Sequence, residues 1–298
     1  MLYSTTKEAV TRLKAGEVVA IPTETVYGLG GDARNPLAIR QIYAIKGRPA
    51  GHPVIVHLGP SADWEEWGVF SGQAQALADA FWPGPLTLIL SRQAHVLDEI
   101  TGGRETVGLR VPSHPTAQRL LEGFGSGLAA PSANRFGRIS PTTAEHVRSE
   151  FGNSIAIVDG GPSTVGIEST IVDLSGNQPA LLRPGFIGAA EIEAIVGPLG
   201  QSDTPAPGML KSHYAPMTSL LLSQTPEKDR ERLEREGRSV AIIAARSPQQ
   251  YARDLYAELR RLDGLGVDIL IAEPAANTAL GRAINDRLSR AASKFSTD

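Results

Sequence analysis

The sequence predicts an α/β protein in two unequal parts. A larger α+β domain with a mixed sheet is expected over residues 1–196, and a small Rossmann-like parallel α/β domain over 219–298, joined by a linker at 197–218. Three observations predict this. Up to about residue 195, helical and strand periods alternate irregularly and several strands follow one another, which suits a mixed sheet with helices packed on it. After residue 218 strand and helix alternate strictly, which suits a small doubly wound sheet. Between them, GPLGQSDTPAPGMLKSHYAPMT (197–218) is rich in Gly and Pro and holds neither period.

The first helix is expected over 5–15, with Ser4 as cap, Ala9, Val10 and Leu13 as its apolar stripe, and Gly16 beyond its end. Residues 17–21 form a β-rich run stopped by Pro22. A second helix spans 36–46, capped by Asn35, opened by Pro36 and ended by Gly47. A strand follows at 54–58. Further helices are expected at 72–81, 114–122 and 142–150, and strands at 86–90, 106–111, 155–159 and 170–174. In the second part, strands at 219–222, 239–244 and 267–271 alternate with helices at 226–236, 247–262 and 277–292. Tyr251, Leu255, Leu259 and Leu262 make one helical stripe; Leu280, Ile284 and Leu288 make another.

Composition narrows the chemistry. With no Cys and no HExxH, Cys-based zinc sites, Fe–S ligation, disulfides and thiol catalysis are excluded. The 29 basic and 32 acidic side chains give a net charge of −3, so there is no pervasive basic coat for nucleic acid. No apolar run reaches the ~18 residues a membrane helix needs. MLYSTTKEAV (1–10) lacks the pattern of a secretory signal, so a cytoplasmic location is expected. The phosphate-loop, Rossmann and nucleophile-elbow patterns are all missing: Gly28-Leu29-Gly30-Gly31 has no glycine at the required spacing. A phosphate site would have to be assembled from dispersed side chains.

The densest candidates lie at strand ends. Thr23, Glu24 and Thr25 follow a buried strand and lead into a turn through glycines, where α/β ligands commonly sit; Thr side chains bonding their own backbone explain such a turn equally well. Lys46 and Arg48 flank Gly47, where the helix dipole alone favours cations, yet two such cations can also hold adjacent phosphates. His57 ends a strand. Arg110 lies in an apolar strand and needs a partner, either a ligand carboxylate or an internal Asp or Glu. Ala130-Pro131-Ser132-Ala133-Asn134 follows the apolar Leu128-Ala129, Gly166 to Thr170 leads into a strand, and Arg183-Pro184-Gly185 ends the apolar run from Ala180. Together these segments supply hydroxyls, cations and a His with almost no paired carboxylates. That inventory suits holding and positioning an anion, not carboxylate acid–base work.

PTETVYGLG (22–30), KGRP (46–49), VIVH (54–57), WPGPLT (82–87), TVGLRVP (106–112), APSAN (130–134), SPT (140–142), GIESTIVD (166–173) and LLRPG (181–185) resemble the YrdC-like family. HYAP (213–216) and LGRAINDRLSRAA (280–292) are similar to the long, two-domain form of its threonylcarbamoyl-AMP-forming members. The resemblance implies a twisted mixed sheet around a large basic cavity. It also implies an enzyme, a nucleotidyltransferase, that makes L-threonylcarbamoyl-adenylate and pyrophosphate from L-threonine, bicarbonate or CO₂, and ATP with Mg²⁺. The product would be handed to tRNA threonylcarbamoyl-transfer proteins. The resemblance assigns Thr25, His57, Arg110, Ala130 and Ser169 to threonine or its carbamate. It assigns Arg48, His52, Thr106, Ser132, Ser140 and Arg183 to ATP, with Lys46 and Asn134 close to the phosphates and Lys46 and Arg48 as the catalytic cations. Tyr214 would close over the nucleotide, turning the linker from tether into lid. The family carries Asn where this chain has His52, whose ring can still donate one hydrogen bond.

The competing reading is a double-stranded RNA-binding module without adenylate-forming activity, and weak RNA binding beside catalysis is a variant of it. Net charge and the absence of a stacking aromatic series weigh against it. Hydrogenase-maturation relatives carry zinc-binding Cys motifs, which this chain lacks, and a non-enzymatic paralogue has no need of Lys46, Arg48, Ser132 and Asn134 together.

Overall fold

The computed structural model describes residues 3–208 and 213–293, so Lys211 and Ser212 of the linker lie outside the described residues. Elements run α1 (Thr6–Lys14), β1 (Val19–Ile21), β2 (Gly28–Asp32), α2 (Pro36–Lys46), β3 (Ile55–His57), α3 (Gly72–Phe81), β4 (Leu86–Ser91) and α4 (Asp98–Thr101). Next come β5 (Thr106–Arg110), α5 (Pro115–Phe124), β6 (Leu128–Ala129), α6 (Ala144–Phe151), β7 (Ala156–Ile157), β8 (Thr170–Asp173), β9 (Ala180–Arg183) and α7 (Ala189–Val196). The second part holds β10 (Ser219–Leu222), α8 (Pro226–Arg235), β11 (Val240–Ile243), α9 (Pro248–Asp263), β12 (Ile269–Ala272) and α10 (Ala279–Ala292).

Where helix signals are strong, structure and sequence coincide. Asn35 accepts from the backbone N–H of Leu37 and Ala38, Pro36 opens α2, and Gly47 closes it in the left-handed conformation. α1 differs by one residue at its start: Thr5, not Ser4, is the cap. Thr5 Oγ1 accepts from Glu8 N while the Glu8 carboxylate accepts from Thr5 N, a reciprocal box for which Ser4 has no acidic partner at the right spacing. Ser4 N instead donates to Ile157 O, tying the chain start to β7.

The largest departure is β2. The glycine-rich segment expected to turn is a buried strand, antiparallel to β1 with Val19 opposite Gly30 and Ile21 opposite Gly28. Its glycines leave no side-chain alternation to read, and they let α2 approach: a Cβ on Gly31 would lie 3.0 Å from Ile42 Cδ1. The expected strand at 155–159 is shorter, Ala156–Ile157, because it only pairs with the short β1.

The strands of the first part form one nine-stranded sheet in the order β7-β1-β2-β6-β3-β5-β4-β8-β9, with parallel and antiparallel pairs mixed. Its topology brings the ends of several strands to one edge. His57 at the end of β3 is in register with Arg110 at the end of β5; the start of β4 pairs with Thr170 at the start of β8; Arg183 at the end of β9 lies opposite Ile171. The main core, including Leu77, Leu88, Leu109 and Trp67, fills the space between this sheet and its helices.

The second sheet has the order β10-β12-β11, all parallel. The chain travels outward and then back, so right-handed crossovers set α8 and α9 on opposite faces. Both expected stripes are buried, together with Tyr256 and Arg287, and this core continues into the first part through Val26, Ile139 and Ile167.

A close approach fixes the end of β9. A Cβ on Gly185 would lie 2.4 Å from Thr170 N and 2.6 Å from Thr170 Oγ1, and backbone cannot yield cheaply. Gly185→Ala is expected to cost ~1–3 kcal/mol, as overpacking usually does, and to lower the melting temperature by about 3–10 °C. Thermal unfolding of the two chains checks this.

Candidate active site

The strand ends gathered at one edge of the large sheet, the loop around Ser132 and the linker enclose a chamber with about 60 Å³ open to water. Thr25, Arg48, His57, Arg110 and Ala130 line it, as do Ser132, Ser169, Arg183 and Tyr214. A second recess of about 340 Å³ adjoins it, sharing Arg48 and His213 and adding His52, Phe136 and Arg104.

Arg110 has an internal partner. Its Nη2 donates to Glu24 Oε1 at 2.7 Å, Nη1 to Thr25 Oγ1 at 2.8 Å and Nε to Gly84 O at 3.2 Å. Both members of the ion pair are buried. Burial pushes the Glu24 carboxyl up, but the charge and hydrogen bond of Arg110 outweigh it and hold it below the usual range. Three of the five guanidinium N–H groups are thus used, which leaves two for a ligand carboxylate. Thr25 is held in turn by Thr23, whose hydroxyl lies 2.9 Å from it and donates to Val26 O.

His57 is buried, and its Nδ1 has no partner among the described residues. Burial and then the neighbouring Arg110 push its imidazole down to about 3, despite the opposing charge of Glu24. It is neutral at pH 7.

Ser169 and Arg183 form a second unit. Arg183 donates from Nε to Ser169 O, from Nη2 to Ser169 Oγ and from Nη1 to Pro207 O of the linker, and Ser169 Oγ also lies 2.7 Å from Thr87 Oγ1. Glu168, beside Ser169 in sequence, also lines the chamber. Its carboxylate accepts from Ser140 Oγ at 2.6 Å, Tyr256 Oη at 2.8 Å and Arg287 Nε at 3.1 Å.

Arg48 faces both chamber and recess, donates to Pro53 O and lies 5.7 Å from the Phe136 ring centroid. His52 meets the edge of the same ring at 5.6 Å. Tyr214, fully buried, stacks on Tyr256 with centroids 5.7 Å apart. Not every expected residue reaches the chamber. Lys46 is buried with its ammonium on the carbonyls of Ser132 and Asn134, where it braces the loop that carries Ser132; burial and Arg48 push its pKa well down. Asn134 donates to Arg135 O and Arg138 O within that loop. Ser140 faces Glu168, and Thr106 opens β5 opposite Ser91, four residues back along the strand from Arg110.

The sequence reading gave no role to the two buried carboxylates, Glu24 and Glu168, or to Tyr256 and Arg287, the partners of Glu168. The apolar setting of Arg110 was the only signal for Glu24; nothing local pointed from Glu168 to Arg287, 119 residues away.

The buried histidines set an acid limit. His57 and His213 both take a proton only near about 3, mainly because of burial, whereas in an unfolded chain they do so near ~6.5. Between those values the unfolded state binds more protons, so stability falls as pH drops below ~6.5. The slope is up to ~1.4 kcal/mol per pH unit for each. His57→Gln is expected to remove about one proton from the difference, giving a shallower loss between pH 6 and 4.5 in urea unfolding; an unchanged slope refutes a neutral buried His57.

Two family profiles match the chain: one described as "Telomere recombination" over residues 11–185, the other as "Threonylcarbamoyl-AMP synthase, C-terminal domain" over 187–293. The threonylcarbamoyl-AMP synthase of Pyrococcus abyssi is 40% identical over 94% of this chain and 91% of its own length. That of Bacillus subtilis is 40% identical over 96% of this chain and 92% of its own. The crystal structure of P. abyssi Sua5 complexed with L-threonine superposes with a TM-score of 0.91 at 37% identity, covering 96% of this chain and 94% of that one. With both parts matched in order and a sheet, linker and second domain of the same architecture, the chain belongs to the threonylcarbamoyl-AMP synthase family in its two-domain form.

Proposed function

We propose that this chain is a nucleotidyltransferase that joins L-threonine, CO₂ from bicarbonate, and ATP into L-threonylcarbamoyl-adenylate with release of pyrophosphate. The observation that carries the reading is one chamber into which Arg48, Arg110 and Arg183 converge with neutral His57 and the hydroxyls of Thr25 and Ser169. In this reading the threonine carboxylate takes the free N–H groups of Arg110. The amine, as its carbamate, directs an oxygen at the α-phosphorus of ATP. A P–O bond to the carbamate forms, the bond to the β-phosphate bridge breaks, and pyrophosphate departs. Arg48 and Arg183 offset the charge that develops, and placement supplies much of the rest.

The residues fit Mg²⁺ as the counter-ion of ATP, held by phosphate oxygens. Among the described residues no cluster of three His, Asp or Glu is disposed to hold a metal, and Glu168 in the chamber wall is already engaged. Bound there, Mg²⁺ would neutralise phosphate charge. Lys46 acts in this reading by fixing the Ser132 loop against the phosphates. The linker excludes water from the mixed anhydride, which would otherwise hydrolyse before passing to the proteins that modify tRNA. Such a role fits a cytoplasmic chain; no helix among the described residues is long and apolar enough to cross a membrane.

The direct test measures pyrophosphate release with each substrate omitted in turn. Release is expected only with ATP, bicarbonate and threonine together; salt-dependent RNA retention without turnover would favour the RNA-binding alternative. Arg48→Ala is expected to lower turnover at least about tenfold, the loss of one charge-assisted contact. Because a site that bonds a hydroxyl rejects analogues lacking it, 2-aminobutyrate is expected to be a poorer substrate than serine, and serine poorer than threonine. Equal turnover of 2-aminobutyrate and threonine would show that the hydroxyl is not read.

A further inference from the structure

Glu168 places a carboxylate in the wall of a chamber whose other charged lining side chains are Arg48, Arg110 and Arg183. An unpaired carboxylate there would draw Arg183 onto itself and repel phosphates. It is held back by groups from the second domain. Arg287, on α10 and 1% exposed, donates from Nε to Glu168 Oε2 at 3.1 Å and from Nη2 to Glu168 O at 3.4 Å. Its Nη1 donates to Pro184 O at 2.8 Å. One guanidinium thus grips the residue before Ser169 and the residue after Arg183, two side chains bonded to each other at the chamber wall. Tyr256, on α9, adds its hydroxyl to the same carboxylate oxygen. The opposite oxygen accepts from Ser140. Tyr214 of the linker lies beneath the Arg287 guanidinium, with 5.6 Å from its ring centroid to Cζ.

We propose that Arg287 is a positioning residue for the nucleotide site: from the second domain it neutralises Glu168 and fixes the Ser169–Arg183 pair, so that Arg183 keeps the geometry that binds ATP. This rests on the place given to Arg183 beside the phosphates in the preceding reading. A role in general stability would not single out nucleotide affinity, nor would it be undone by removing the carboxylate that Arg287 serves. The geometry predicts both.

The test compares the full chain with Arg287→Met, Glu168→Gln and the double variant, reading ATP affinity by titration calorimetry, steady-state constants by pyrophosphate release, and thermal unfolding. Arg287→Met is expected to weaken ATP binding on the order of tenfold or more, since it leaves a buried charge unpaired. The double variant, with neither charge, is expected to regain most of that loss. An Arg287→Met chain with wild-type ATP affinity, or a folded double variant as impaired as the single one, overturns the proposal. Should Arg287→Met fail to fold, Tyr256→Phe removes only the hydroxyl that reaches Glu168 and keeps the ring stacked on Tyr214. Weaker ATP binding in that variant, with little change in unfolding temperature, supports the proposal, and unchanged affinity overturns it. ATP affinity is read without turnover, so a wild-type chain that binds ATP but releases no pyrophosphate refutes the reaction and leaves the Arg287 comparison intact.

Discussion

Burying guanidinium groups around one chamber is the constraint on which the rest of the structure depends. Arg48, Arg110, Arg183 and Arg287 are all at most 9% exposed, and a low-dielectric interior tolerates such charges only when they are paired and hydrogen-bonded. Among the described residues three carboxylates answer them: Glu24 pairs with Arg110, and Glu168 and Asp286 with Arg287. Arg48 and Arg183 are served mainly by carbonyl and hydroxyl oxygens. The histidine rings in the wall, His57 and His213, are neutral. The wall therefore keeps a surplus of positive charge that the protein itself does not cancel. An anionic ligand would complete it, and burial would make that attraction stronger than the same charges exert at the surface.

The fold exists in this form to bring such groups together. His57, Arg110 and Arg183 each end a strand, and Ser169 precedes one. Because β3 and β5 are parallel while β4 and β9 run against their neighbours β5 and β8, ends and starts of strands meet at a single edge. A sheet of one strand direction would present only strand ends there. The mixed topology supplies hydroxyl-bearing starts beside cation-bearing ends.

That architecture was partly legible in the sequence, and the reason differs by element. α2 could be read almost to the residue because Asn35, Pro36 and Gly47 act locally, through caps and backbone preference. The stripes of α9 and α10 were visible because burial repeats at helical spacing. β2 was not, since glycine carries no face to alternate. Nine of the nineteen described chamber residues could be named from motif resemblance, yet what holds them could not. Glu24 and Arg110 are 86 residues apart, and Glu168 and Arg287 are 119 apart. A buried ion pair leaves no periodic trace; it announces itself only as a charge in an apolar run that needs an unknown partner. Lys46 shows the converse. Its position beside Arg48 reads as a phosphate-binding pair, but in the fold its ammonium turns inward to two carbonyls and shapes a loop.

The linker shows why composition alone misleads. Rich in Gly and Pro, it has the makeup of a flexible tether, but its described residues are fixed at several points. Pro207 O accepts from Arg183, Ala215 N donates to Gly137 O, and Tyr214 is buried between Tyr256 and the Arg287 guanidinium. Tyr214 also adopts φ +61°, a left-handed conformation that costs an aromatic residue ~1–3 kcal/mol. Gly208, at φ +82°, passes so close that a Cβ there would lie 2.2 Å from Tyr214 Oη. A strained backbone persists only where its surroundings over-determine it. Here ring stacking and the cation above the ring offset the strain, and both come from the second domain. That domain therefore does more than terminate the linker: its Tyr256 and Arg287 hold Tyr214 in the chamber wall, while Arg183 bonds Pro207 of the preceding turn.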